Sequence, residues 1–286
     1  MLGLGLLLLA MGGIFYATAE GIVFVSIDYT DCVSVTPGIT GTCAEYVATS
    51  SVDTEATVCE CNLVFTAPSG FQNEDLYFYY YLDNYYQNFR RYVASIDYQQ
   101  LHGEGLGNLD PGCGDEDMID GVQVLPCGYI ANSYFNDTFS VQASNGTDVV
   151  FNDENIAWNS DVSFKYRNPA SGFNDTVTPP NWGGRTVATV LGESGLTNQD
   201  FAVWMRTAGL PWFHKLYRKI PGGLITGQNY TVSVQYNYPT KVFNGHKEVL
   251  ITTISWLGAQ NHFLGIIYLA AGSGMFSIVC DRLGCI

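Results

Sequence analysis

Eight cysteines, four histidines and one run of carboxylates are the side chains here with chemistry to offer. His102, His214, His246 and His262 share no metal-ligand spacing, and there is no HExxH, zinc-type CxxC pair or EF-hand loop, so no metal site is indicated. Asp115, Glu116, Asp117 and Asp120 could hold calcium or supply a carboxylate pair for glycoside hydrolysis, although a charge run of this kind is ordinarily a solvated loop. Ser194, in Gly-Glu-Ser-Gly, misses the nucleophile-elbow pattern by one position, and no glycine-rich loop ends in Gly-Lys-Ser or Gly-Lys-Thr. A catalytic thiol needs a nearby cation or base, and nothing basic is local to Cys113 or Cys127. Cys59-Glu-Cys61 is CxC, not a CxxC redox motif. Disulfides remain. Cys113 and Cys127 enclose a self-contained acidic loop whose closure contributes about 3 kcal/mol in the chain-entropy model. Cys32, Cys43, Cys59 and Cys61 then pair among themselves, in an order that spacing leaves open.

The elements that must position these cysteines begin with two apolar runs. Residues 2–19 carry no charge, and after Glu20 the apolar character continues to Ile27, long enough for a membrane helix. Residues 263–280 form a second charge-free run, ending at Asp281 and Arg282. The first run is much longer than a signal-peptide core and has no Lys or Arg ahead of it, which favours a retained helix. Between the runs lie six of the cysteines and four sequons, at Asn136, Asn145, Asn174 and Asn229. Together they predict a lumenal or extracellular loop, with both chain ends cytosolic. Only 14% of residues are charged, and the formal charge is −15, from 12 basic and 27 acidic residues. That balance excludes nucleic-acid binding, which needs clustered Lys and Arg. The expected organisation is a membrane helix over 1–27, an ectodomain over 28–255, a juxtamembrane segment and second membrane helix over 256–281, and a cytosolic end at 282–286.

Within the loop the dominant period is two. Residues 229–240 alternate Tyr230, Val232, Val234, Tyr236 and Tyr238 with polar neighbours, and 247–255 is β-branched, so both read as strands. The intervening Asn244-Gly245 suggests that they form a hairpin. Residues 76–82 and 186–192 read as further strands. Residues 198–220 read instead as a helix kinked at Pro211, with Phe201, Trp204, Ala208 and Trp212 along one face and a basic end at Lys215, Arg218 and Lys219. The aromatic stripe suits a core and the basic end a partner. Gly13, Ala17, Ala270 and Gly274 are small residues at four-residue spacing that would let membrane helices approach closely.

Five segments, NFRRYVASIDYQQLHG (88–103), LPCGYIANSYFNDTF (125–139), FKYRNP (164–169), FAVWMRTAGLPWFHKLYRKI (201–220) and TISWLGAQNHFLGIIYLAAG (253–272), resemble, in order, the cell-division-cycle-protein-50, or transmembrane-protein-30, family. Its members are non-catalytic accessory β-subunits of type IV P-type ATPases, the phospholipid flippases. The resemblance implies a membrane protein in which two transmembrane α-helices flank a large β-rich ectodomain, α+β and antiparallel β-sandwich-like, disulfide-bonded and glycosylated. It implies a heterodimer with the ATPase α-subunit, contact with membrane lipids, support of the α-subunit's folding, exit from the endoplasmic reticulum and activity, and no cofactor beyond N-linked glycans. It also implies the pairs Cys113–Cys127, Cys32–Cys61 and Cys43–Cys59, and glycans at Asn136, Asn145 and Asn229, whereas Asn174 has no family counterpart. Arg90, Arg91, Trp204, Arg206, Trp212, Lys215 and Trp256, within these motifs, become the partner-contact candidates. Phe89 stands where the family has histidine, and Ile96 where it has arginine. A tyrosine-rich β ectodomain would also suit a membrane-anchored glycan-binding or adhesion protein.

Overall fold

A computed structural model of the chain describes residues 2–49, 57–104 and 111–283. The strands are β1 Phe24–Asp28, β2 Cys59–Thr66, β3 Leu76–Leu82, β4 Met118–Ile119, β5 Val122–Gln123, β6 Thr138–Ala143, β7 Phe213–Ile220, β8 Asn229–Tyr236 and β9 Lys247–Thr252. The α-helices are α1 Leu2–Glu20, α2 Cys43–Thr49, α3 Arg90–Val93, α4 Tyr98–Leu101, α5 Tyr129–Asn132, α6 Val187–Leu191, α7 Gln199–Met205 and α8 Phe263–Leu283. Two antiparallel sheets, ordered β1-β9-β3-β7 and β2-β8-β6, make a sandwich, and β4-β5 is a small separate ladder.

Alternation explains the sandwich. Leu76, Phe78, Tyr80 and Leu82 of β3 are buried while the intervening tyrosines are only half-buried. From the other sheet Phe139 meets Phe78 and Tyr217 at ring-centroid distances of 5.3 and 5.1 Å, which is how the two inner faces interdigitate. Cys59 and Cys61, two apart on β2, point the same way, so the CxC motif delivers both sulfurs to one face.

Four features differ from the sequence reading. Helix α1 stops at Glu20, and Phe24–Asp28 becomes edge strand β1 paired with β9, because the β-branched run after Gly21 finds a sheet to join. Strands β8 and β9 do not form a hairpin. Residues 237–246, with left-handed Asn244 and a bond from His246 N to the Asp83 carboxylate (2.6 Å), carry the chain from one sheet to the other. Residues 187–191 are helical, because the Thr186 side chain caps the Thr189 amide (3.2 Å) and Gly192, at φ 70°, ends the turn. The helix expected over 198–220 ends at Met205, and Phe213–Ile220 is strand β7 beside β3. Gly209 and Pro211 break the helix, and Phe213, Lys215 and Tyr217 then alternate inward.

The chain ends pair as helices. Among the described residues, α1 is long and apolar enough to cross a membrane, and α8 holds a shorter apolar stretch, Phe263–Ile278. Their contact uses Gly5, Gly12, Gly265 and Gly272, and the four-residue stripe of small residues lies away from it. A Cβ on Gly12 would lie 2.7 Å from Leu269 N, and one on Gly265 2.9 Å from Tyr16 N, whereas Gly13 and Gly274 have nothing within 4 Å and Ala17 and Ala270 are exposed.

Candidate functional site

Three disulfides hold the long connections: Cys32–Cys61 and Cys43–Cys59, nested side by side, and Cys113–Cys127, with Cα separations of 6.0, 5.5 and 5.8 Å. The sulfurs of Cys32, Cys43 and Cys61 lie within 4.8 Å of one another, but as disulfide sulfurs they offer no thiolate to a metal. Of the acidic run, the side chains of Asp115 and Glu116 lie outside the described residues.

The stretch 125–139 is the hub of the structure. Buried Gln100 ties it down, its amide nitrogen donating to Val124 O (3.0 Å) and its oxygen accepting from Cys127 N (3.0 Å). Gly128 must be glycine, since a Cβ there would sit 2.3 Å from Ser95 O. Helix α5 follows, and its carbonyls are satisfied by two buried indoles: Trp204 Nε1 donates to Ile130 O (2.8 Å) and Trp182 Nε1 to Ala131 O (2.9 Å). Trp204 is therefore core and cannot touch a partner. Lys215 is also inside. Its ammonium donates to the carbonyls of Val203 (3.0 Å), Trp204 (3.3 Å) and Arg206, closing the C-terminal end of α7. Burial, helped by the nearby Arg206 charge, lowers its pKa to about 7.

The remaining candidates are at the surface. Arg206 lies 4.4 Å from the Trp158 ring centroid and bonds Asp161 (3.1 Å), which Lys165 also reaches at 2.7 Å. Burial works to raise Asp161, but these two cations outweigh it and hold the carboxyl below its usual range. Arg90 and Arg91 are exposed on α3, with Arg91 5.5 Å from the Tyr129 ring centroid. Their neighbours Tyr86, Phe89 and Val93 are exposed apolar residues, and so are Leu210 and Trp212, about 120 positions later. Three bonds lay these two segments side by side: Tyr85 N to Pro211 O (3.1 Å), Asn88 Nδ2 to Gly209 O (3.0 Å) and Ala208 N to Gln87 Oε1 (2.9 Å). The outcome is a basic, aromatic patch on an otherwise acidic protein. Sequence reasoning passed over Tyr86, Phe89 and Leu210. Their signal was apolar bulk inside polar, turn-rich segments, the composition of an exposed apolar patch.

Trp256 is 70% exposed and leans on Phe15 of α1 at 5.9 Å. Tyr16 against His262 (5.0 Å) and His262 Nε2 with Glu20 Oε1 (3.1 Å) complete an aromatic, polar ring where the paired helices meet the sandwich. Such a belt suits a membrane–water interface.

A disulfide-stapled β-sandwich joined at one end to a pair of apolar helices, with a basic aromatic patch on its flank, has the build of a membrane-anchored interaction protein. Known proteins make the assignment specific. The family described as the LEM3 (ligand-effect modulator 3) family / CDC50 family matches residues 15–282. The chain is 40% identical to cell cycle control protein 50B of Homo sapiens over 94% of its own length and 81% of that protein. It is 36% identical to cell cycle control protein 50A of Bos taurus over 96% of this chain and 78% of the relative. It is 41% identical to ALA-interacting subunit 3 of Arabidopsis thaliana over 71% of this chain and 57% of the relative. The chain belongs to the LEM3/CDC50 family.

Proposed function

We propose that this chain is the accessory subunit of a phospholipid-translocating type IV P-type ATPase, and that it supports the folding, endoplasmic-reticulum exit and activity of the catalytic α-subunit without chemistry of its own. The observation that carries this reading is the family match over residues 15–282, and a relative named as an interacting subunit supports it. In this reading α1 and α8 both cross the membrane, and the sandwich lies on the lumenal or extracellular side, where disulfides persist and sequons are glycosylated. Asn145, Asn174 and Asn229 are exposed, and Asn136 is half-buried.

Arg90, Arg91, Phe89, Leu210 and Trp212 then contact the α-subunit's lumenal loops, Trp256 marks the membrane surface, and the outward-facing Gly13, Ala17, Ala270 and Gly274 are free for the α-subunit's helices. The test is purification of the tagged chain from native membranes, with lipid translocation measured before and after its deletion. Recovery without any P-type ATPase, or unchanged flipping on deletion, would overturn the reading.

A further inference from the structure

A cleft of about 550 Å³ lies beside β8, and a sequon asparagine stands on its wall. Asn136 differs from the other three sequon asparagines in being half-buried where they are exposed. Its amide oxygen is enclosed and accepts no hydrogen bond, the single buried side-chain atom among the described residues in that condition. Native structures seldom leave a buried acceptor unpaired.

Its neighbours fix it there. Asp137 is anchored by Asn237 N (2.6 Å) and Tyr238 N (2.7 Å), while Asn237 Nδ2 bonds Asn136 O (3.1 Å). The cleft lining also includes Tyr46, Tyr134, Asn132, Asn181 and Arg185, whose Nε is held on Trp182 O at 2.9 Å. Flat aromatic rings beside amide and guanidinium donors are what a pyranose needs: its apolar face stacks, and its hydroxyls and N-acetyl group hydrogen-bond. The volume falls within the roughly 300–1,000 Å³ of ligand sites, so a short oligosaccharide fits where a whole glycan does not.

We propose that the cleft is a carbohydrate subsite for the protein's own glycan, with the first N-acetylglucosamine units of the Asn136-linked chain folded back into it. There the glycan covers apolar cleft wall, and its hydroxyls and N-acetyl groups meet the amides and guanidinium of the lining. The proposal rests on the lumenal placement given above.

The test uses the full-length protein from eukaryotic membranes, digested undenatured with a peptide-N-glycosidase in ¹⁸O water, and site-by-site mass spectrometry of the labelled aspartates. An enzyme that acts only on the undocked glycan reports the undocked fraction, so release at Asn136 should be about tenfold slower than at Asn145 and Asn229. Val242→Trp, at an exposed position on the cleft rim, separates docking from simple recession: by filling the cleft it should expel the sugar and speed release, whereas a merely recessed site would be slowed further. Equal rates at the three sites, slower release in Val242→Trp, or an unmodified Asn136 would each overturn the proposal. Asn136 bare or freely cleaved beside glycosylated Asn145 and Asn229 sinks the cleft alone. Bare asparagines at all four sequons sink the lumenal placement as well.

Discussion

The buried pair Asp137–Lys247 offers the sharpest test of how the two sheets are locked. Both side chains are fully buried, and the ammonium lies 2.6 Å from Asp137 Oδ2 and 2.8 Å from Tyr238 O. Tyr29 donates to the same carboxylate oxygen at 3.0 Å, the Tyr236 ring centroid is 3.1 Å from Nζ, and Asp137 Oδ1 takes two backbone amides. Burial lowers Lys247 to about 8 despite the neighbouring carboxylate, so the site is costly to charge and depends on its partner. Asp137→Asn strands an ammonium, and Lys247→Met strands a carboxylate. Each should cost about 3–5 kcal/mol. At about 2–4 °C per kcal/mol for a domain of this size, Tm should fall by roughly 10 °C. The double variant removes both charges and should recover about 2 kcal/mol relative to the sum of the singles. Thermal unfolding of the detergent-solubilised full chain, followed by tryptophan fluorescence, measures all three, and Asp137→Asn retains the Asn136 sequon. Single costs below about 1 kcal/mol, or strict additivity, would refute the claim that the pair is desolvated and mutually dependent.

Other expectations follow from the same geometry. Lys215 has a folded pKa of about 7 against an unfolded value of 10.5, so between these pH values the unfolded chain binds the extra proton. Stability should therefore rise with pH from about 7 to 9, by at most about 1.4 kcal/mol per unit, and the rise should be smaller in Lys215→Met when melts are compared across that window. Trp212→Ala or Arg91→Glu should weaken ATPase co-purification, by roughly 30-fold if Trp212 is worth about 2 kcal/mol as an interface anchor, while leaving Tm unchanged. Gly12→Leu drives a side chain into Leu269 and should separate α1 from α8, lowering cross-linking between cysteines placed on the facing helices. Removing the Cys113–Cys127 bridge, which closes a loop of 14 residues, should cost about 3 kcal/mol in denaturant melts.

Much of this was legible because alternation and capping are local. Strand β3 was evident from LYFYYYL alone, and the apolar ends announced helices. Strand β7 was missed for an instructive reason. Its inward positions are Phe213, Lys215 and Tyr217, and an inward lysine reads as polar, so the period of two looks broken and the earlier spacing of Phe201, Trp204, Ala208 and Trp212 carries a helix too far. Lys247 breaks the pattern at the head of β9 in the same way. Each lysine can be inside because something distant in sequence receives its charge: the frayed carbonyls of α7 in one case, and a carboxylate 110 residues away in the other. The patch that joins Phe89 to Trp212 has the same origin, since its halves are brought together by bonds between segments about 120 residues apart. The stretch LPCGYIANSYFNDTF then reads differently from a motif with chemistry: Cys127, Ile130, Ala131 and Asp137 each satisfy a group contributed by another segment, and Gly128 leaves room for the Ser95 carbonyl. Sequence analysis sees such residues as unusual types at fixed spacing and is drawn to catalysis, whereas their physical role is to let polar groups be buried without being left unpaired.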